Sequence, residues 1–342
     1  MTKIYIVRHA EAEGNVWRRI HGHYDGRVTP NGRRQIECVA QRFRDLALAN
    51  SNVTSAPAPT PVYSSDLTRA YETACGIADA LGCEVTKLES LREIAMGAWE
   101  DTCWGYWETH APELANAYNL KPMDWVVDGA EHISDVHSRM VQTTLELAER
   151  HSGGAVVLVT HGVALRTLLC HASGVTLDDV NEIRYCDNTA VSLLTADGGK
   201  LSIEYMNDNS HLPEELSTFA KQRWWKTKNI TDKRNLYFKQ IEGDELNLIA
   251  MHYGTPCGAL ELSVRDASTG TIESIWLEPE FRSQGFAIQL LGAAISAFRR
   301  RGLTAIAMSV DTEDSAALKF AQRNGFNRTA ESDGKLAFTL PI

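Results

Sequence analysis

Positive charge is scarce in this 342-residue chain: 34 Lys and Arg stand against 44 Asp and Glu, a formal net charge of −10. That balance argues against non-specific binding to nucleic acid or to an anionic membrane surface. It leaves room for an anionic substrate, because a local arginine cluster can oppose the global field. Long apolar runs are also missing, and none approaches the roughly 20 residues that span a bilayer. The seven cysteines are scattered and form no CxxC pair. That excludes a disulfide framework and a cysteine zinc site, and fits reduced thiols in a cytoplasm. No charged-then-apolar leader precedes the first strand, so a cytoplasmic protein is expected. What remains is ordinary globular composition, 44% hydrophobic and 23% charged, at a length that suits two domains.

The first apolar run, Ile4-Tyr5-Ile6-Val7, reads as a buried strand and stops on Arg8 and His9. A second strand over 155–160 repeats that design and stops on His161. Ligands of open α/β sheets bind just beyond the carboxyl ends of such strands. Between them, Thr29-Pro30 is a helix N-cap with proline at the first turn, and Ile36, Val39, Ala40, Phe43, Leu46 and Ala47 follow at helical spacing. Residues 50–61, rich in Ser, Thr, Ala and Pro, read as an exposed loop. His21-Gly22-His23 lacks a third nearby ligand and reads as a polar loop, not a metal site. Strands are expected at 61–65, 85–88, 190–195 and 201–206, and helices from Asp66 to 78, over 138–150 and over 162–173. Alternating strands and helices imply a three-layer α/β/α sheet. The aromatic run with Trp99, Trp104, Tyr106, Trp107, Tyr118 and Trp125 suits either a lid over a pocket or a packed helical insertion.

Composition shifts after residue 208. The expected division is a first domain over 1–208, a linker helix within 209–235 (213–228, with Trp224 and Trp225), and a smaller α+β domain over 236–342. The last begins with an antiparallel meander at 236–241, 245–252 and 259–264. A strand at 272–277, a glycine turn, a helix at 288–300, a strand at 303–310, a helix at 315–324 and two closing strands follow.

Arg8, Arg69, His9 and His161 share one chemical logic, with Glu93 on a following loop. Two arginines can grip phosphate oxygens and stabilise charge that builds during transfer. One histidine can attack phosphorus, and a carboxyl group can serve the leaving oxygen and then water. Four ordered pieces carry a resemblance: Arg8-His9 with Glu11 and Asn15; Ser65-Asp66-Leu67-Thr68-Arg69-Ala70 with Thr73-Ala74; Leu91-Arg92-Glu93 with Gly97 and Trp99-Glu100; and Thr160-His161-Gly162. Over residues 1 to about 210 the chain resembles the histidine phosphatase superfamily, with the phosphoglycerate-mutase-like fold. The resemblance implies His9 as phosphorylated nucleophile, Glu93 as general acid and His161 as a third catalytic group. It implies a phosphate site of Arg8, Asn15 and Arg69, and no cofactor or metal. Ala10 replaces the family's usual glycine. The stretch around Glu93 is more similar to the phosphatases than to the mutases, so hydrolysis of a small phosphorylated metabolite is favoured over phosphoglycerate-type mutase activity.

A glycine turn between a strand and a helix can cradle phosphate with backbone N–H groups. Arg282-x-x-Gly285-x-Ala287 follows Leu277-Glu278-Pro279 and precedes Asn324-Gly325-Phe326. This part resembles the GNAT family of N-acetyltransferases. By that resemblance Leu277, Arg282, Gln284, Gly285, Phe286 and Ala287 bind acetyl-CoA, and a small amine is the acceptor. Asp314 stands where the family often has asparagine, and Ala321 where it often has the tyrosine that protonates the departing thiolate. The two helices that usually precede the family's second strand are missing. Three ways of making up for them stay open: the 213–228 helix, completion by the first domain, or a degenerate acceptor site. Glu273 and Glu278 read better as solvated charges than as bases. The alternative to a bifunctional enzyme is a phosphatase carrying a non-catalytic CoA-sensing or interaction domain. A homodimer is left open.

Overall fold

The structure is a computed structural model that describes residues 1–50, 60–222, 224–226 and 234–342. The loop expected at 50–61 lies almost wholly outside them. By the contacts within it, the chain forms two compact units, each drawn from several segments. The first unit contains Met1–Ala12, Ile20–Glu100 and Pro112–Trp225, and the second contains Glu13–Arg19, Asp101–Ala111 and Lys226–Ile342.

In chain order the first half gives β1 (Thr2–Arg8), α1 (Glu13–Trp17), α2 (Pro30–Asn50), β2 (Val62–Ser64), α3 (Thr68–Leu81) and β3 (Val85–Lys87). It continues with α4 (Trp104–His110), α5 (Pro112–Leu120), α6 (Ile133–Arg150), β4 (Ala155–Thr160), α7 (Gly162–Ser173), β5 (Val191–Asp197) and β6 (Lys200–Asp208). The first unit holds a six-stranded sheet in the order β3-β2-β4-β1-β5-β6. β1, β2, β3 and β4 are mutually parallel, while β5 and β6 close the edge antiparallel.

Strands buried on both faces read as continuous apolar runs, and β1 and β4 obey this. Val7, Val157 and Val159 pack with Val39 and Phe43 of α2 and Ala70, Ala74 and Ile77 of α3. α6 and α7 pack on each other and on β1. Each large side chain so buried contributes roughly 1.5–3 kcal/mol. α2 starts as its sequence signals: Gly32 N–H donates to Thr29 Oγ1 at 2.9 Å, with Pro30 in the first turn.

A sequence reading changes here. No α-helix occupies the described part of 209–235; it holds a single 3₁₀ turn, Glu214–Leu216, and bends. Side chains from far along the chain bind its backbone and its hydroxyls. Gln35 Nε2 donates to Leu216 O, Thr218 Oγ1 to Glu11, and Ser217 Oγ and Phe219 N to Asp187. Part of the aromatic run packs together within the first unit. Trp99 and Trp125 are each 1% exposed and meet edge to face at 5.4 Å, with Tyr118 5.1 Å from Trp125. Trp104, Tyr106 and Trp107 lie on α4, in the second unit.

The second unit adds β7 (Tyr237–Ile241), β8 (Asp244–His252), β9 (Thr255–Val264), β10 (Thr269–Leu277), α8 (Ala287–Arg299), β11 (Ala305–Asp311), α9 (Ser315–Arg323), β12 (Asn327–Ser332) and β13 (Lys335–Pro341). Its seven-stranded sheet runs β12-β13-β11-β10-β9-β8-β7. Only β10 and β11 pair in parallel, from Thr269 to Ile272 against Ala305 to Met308. A bulge follows in β10, and past it no pairing with β11 continues.

The described residues of 213–228 supply neither of the helices missing from the early part of this unit. Two helices of the first half pack here instead. On α1, Trp17 lies against α8 at Gly292, where a Cβ would stand 2.4 Å from the indole Cγ. Glu13 accepts a fork from Arg299 at 2.8 Å on both oxygens. Asp101 accepts from Arg19 Nε at 2.8 Å and Ser296 Oγ at 2.7 Å. On α4, Tyr106 and His110 pack on Tyr237 of β7 at 6.2 and 5.0 Å. Glu108 accepts from Asn235 Nδ2 and from Tyr253 Oη.

Candidate active site

β1 and β4 run side by side with Arg8 opposite Thr160, so the residues after them emerge together. His9 N–H donates to Thr160 O at 2.9 Å, and the rings of His9 and His161 lie 5.1 Å apart. His9 Nδ1 is 2.7 Å from Ala10 O. A carbonyl only accepts, so Nδ1 carries the proton and Nε2 presents its lone pair. Burial, then Arg69 and Arg8, holds His9 well below the usual imidazole value, and burial, then Arg69 and His9, does the same for His161. Both rings are neutral.

α3 delivers Arg69 from its first turn. Its Nη1 donates to Tyr24 O (3.1 Å) and its Nη2 to Gly22 O (2.7 Å). Burial lowers its pKa to about 10, with Glu93 opposing, so it stays charged at neutral pH. Arg8 Nη1 donates to Cys186 O, and its guanidinium lies 5.7 Å from the Phe219 ring. The polar loop around His21-Gly22-His23 therefore clamps an arginine through the carbonyls of Gly22 and Tyr24. Among the described residues no group of three His, Cys, Asp or Glu is placed to hold a metal ion.

Glu93 stands at the start of α7. Its carboxylate accepts from Val163 N (3.1 Å) and Ala164 N (3.0 Å), a carboxylate at a helix N-terminus. A Cβ built on Gly162 would lie 3.6 Å from Arg8 Nε and 3.7 Å from Glu93 Oε2, so cation and carboxylate converge there. Arg8 Nε, Arg69 Nε and both ring nitrogens of His161 are buried and meet no hydrogen-bond partner among the described residues. Leaving such groups unmet costs about 1–3 kcal/mol each. Their convergence beside two cations fits an anionic ligand with several acceptor oxygens.

His9, His161, Arg8, Arg69 and Glu93 are thus brought together within one unit. Asn15 lies on α1, in the segment grouped with the second unit. The loop after α7 supplies what the sequence reading missed. Asn188 Nδ2 donates to His9 O (2.8 Å) and Thr189 N to Arg8 O (3.0 Å). Thr189 sits at φ +58°, a strained setting for a β-branched residue. His211 supports it: Arg42 donates to Nδ1 (3.3 Å), so Nε2 carries the proton it offers Thr189 Oγ1 (3.2 Å). Thr73 Oγ1 accepts from Ala10 N and donates to Arg69 O. No spacing in the sequence marks these groups, since each acts across long chain separations.

In the second unit, Leu277 ends β10 and its carbonyl accepts from Arg282 Nε at 2.8 Å. Ser283 (φ +57°) and Gly285 (φ +83°) take left-handed conformations around Gln284, and α8 starts after Phe286 with no side-chain cap. Alternating handedness turns successive N–H groups to one side. These residues fit a pyrophosphate, and the end of pairing between β10 and β11 fits an inserted chain. Asp314 caps α9, accepting from Ala316 N and Ala317 N, which aspartate and asparagine do equally well. Ala321 is fully buried in the core.

Fold and pocket define a phosphoglycerate-mutase-like α/β protein with a C-terminal sheet domain. Residues 4–209 match the profile of the histidine phosphatase superfamily (branch 1), and residues 210–326 that of the acetyltransferase (GNAT) family. The chain belongs to the histidine phosphatase superfamily. It is 31% identical over 216 residues to phosphoglycerate mutase-like protein 4 of Arabidopsis thaliana, covering 62% of this chain and 87% of that one. It is 30% identical over 214 residues to phosphoserine phosphatase 1 of Hydrogenobacter thermophilus, covering 63% and 96%. Among solved structures, Bacillus stearothermophilus YhfR superposes with TM-score 0.55 at 28% identity, over 62% of this chain and 99% of that one. Phosphoserine phosphatase of Entamoeba histolytica, in complex with 3-phosphoglyceric acid, superposes with TM-score 0.52 at 26% identity, over 62% and 100%.

Proposed function

We propose that the first unit hydrolyses a phosphomonoester of a small metabolite through a phosphohistidine. The observation that carries this is the set of unmet polar atoms around His9, flanked by Arg8 and Arg69. His9 Nε2 attacks phosphorus in line, forming N–P as the ester P–O bond breaks. Arg8, Arg69 and His161 stabilise the equatorial oxygens. Glu93 enters the first step as the carboxylic acid and gives its proton to the leaving oxygen; the carboxylate so formed takes a proton from the water that attacks phosphohistidine, and N–P cleavage returns neutral His9 with inorganic phosphate. Phosphoserine, named for several relatives, is the first substrate to test. Changing His9→Ala is expected to abolish phosphate release and acid-labile labelling of the protein, while acetyl-CoA-dependent thiol release continues. Full phosphatase activity in that variant would sink the mechanism.

The second unit, in this reading, binds acetyl-CoA through the N–H groups of residues 284–287 and transfers acetyl to a small amine. Bound acetyl-CoA supplies an activated acyl thioester. The chain's own part is to hold the pyrophosphate at α8 and the pantetheine arm along β10. Buried Ala321 offers no proton to a departing thiolate, which favours the second reading of this unit as a CoA-sensing module. Acetyl-CoA binding measured by calorimetry, followed by a turnover screen over amines, separates the two.

A further inference from the structure

The segment that delivers Glu93 is tied down carbonyl by carbonyl. Arg139, on α6, donates from Nη1 to Ser90 O (2.8 Å) and Arg92 O (2.7 Å), and from Nη2 to Glu93 O (3.0 Å). Thr160 Oγ1 takes the one between, Leu91 O, at 2.8 Å. His23 Nε2 lies 2.8 Å from Glu93 O, so that nitrogen is the donor. The rest of the Arg139 fork goes to Glu131, Nε to Oε1 at 2.7 Å and Nη2 to Oε2 at 2.9 Å. Glu131 also brackets the far side of the loop, its N–H donating to Ala95 O at 2.9 Å. A guanidinium has five N–H donors, and five hydrogen bonds commit them here.

Glu93 is therefore held at both ends. Arg139 and His23 fix its carbonyl, and the first amides of α7 fix its carboxylate. Arg139 itself makes no hydrogen bond to the nucleophile or the phosphate arginines among the described residues; those side chains donate instead to the carbonyls of Ala10, Gly22, Tyr24 and Cys186. Lysine could not replace Arg139, because a point charge cannot reach three carbonyls and a carboxylate in one plane.

We propose that Arg139 is a positioning residue for the leaving-group acid, governing protonation of the leaving oxygen and not the attack on phosphorus. The proposal rests on the reading of Glu93 as that acid. Its signature is a dependence on the leaving group. An alkyl phosphate such as phosphoserine expels an alkoxide and needs the proton; p-nitrophenyl phosphate expels a stable phenolate and needs it little.

The test compares kcat/KM for both substrates in the full chain and in R139K and R139Q. The unaltered chain must first hydrolyse p-nitrophenyl phosphate, with activity lost in H9A; failure there overturns the function reading before any Arg139 variant is compared, and this proposal with it. Given that activity, the alkyl rate is expected to fall about 10²-fold, the cost of a misplaced acid, and the aryl rate by about threefold or less. Equal losses on both substrates, or none on either, overturn the positioning role while leaving the phosphatase reading intact. H23A removes the second donor to the Glu93 carbonyl and is expected to show the same selectivity in weaker form. If the Arg139 variants fail to fold, H23A decides: selective loss supports the clamp, equal or no loss overturns it.

Discussion

His9, His161 and His211 are each kept neutral by burial, and a nearby arginine opposes protonation in every case, with His211 lowered to about 4. A neutral imidazole is what a nucleophile, and an acceptor for Arg42, must be. The same feature makes stability depend on pH. Unfolded, each ring binds a proton near pH 6.5; folded, it does so only at lower pH. Below about pH 6.5 the unfolded state binds more protons, so stability is complete above that value and declines as pH falls toward 4. The urea midpoint is expected to be lower at pH 5 than at pH 7.5. His211→Asn removes one contributor, and the slope should flatten by at most about 1.4 kcal/mol per pH unit. An unchanged slope would show that His211 titrates normally in the folded protein.

At the scale of elements, α1 and α8 show what packing adds to pattern. Gly292 admits the Trp17 ring because it has no Cβ, and the pair is braced by Glu13 and Arg299. Gly292→Val is expected to push α1 off α8 and destabilise the second unit by roughly 1–3 kcal/mol; thermal melting and near-ultraviolet circular dichroism of Trp17 report it. Legibility follows the same division. β1 and β4 were readable because each is apolar on both faces and ends on a reactive side chain, and their parallel register then brings His9 and His161 together. The turn at Gly285 was readable because a left-handed residue before a helix leaves a glycine behind. Over its described residues the helix expected at 213–228 does not form, because its apolar spacing says nothing of Gln35 and Asp187, which take Leu216 O and Phe219 N, or of Glu11, which takes the Thr218 hydroxyl from 207 residues away. Arg139 was unreadable for a related reason: on a helix an arginine looks solvated until the loop it grips is placed.

Over the whole molecule, the chain passes between its two units five times, at Ala12/Glu13, Arg19/Ile20, Glu100/Asp101, Ala111/Pro112 and Trp225/Lys226. A fragment ending at residue 208 would lack Ser217, Thr218 and Phe219, the partners of Glu11 and Asp187. It would also carry α1 and α4 without α8 and β7. Such a fragment is expected to bind a hydrophobic dye and to melt well below the intact chain; a cooperative melt at the intact temperature would contradict this. The pairing of Glu13 with Arg299 has one more consequence, in time. The partners lie 286 residues apart, so a ribosome adding about 5–20 residues per second needs roughly 15–60 s to supply the second after the first. For that interval the Trp17 face of the nascent chain waits uncovered, which makes this protein a candidate client of the chaperones that attend the exit tunnel.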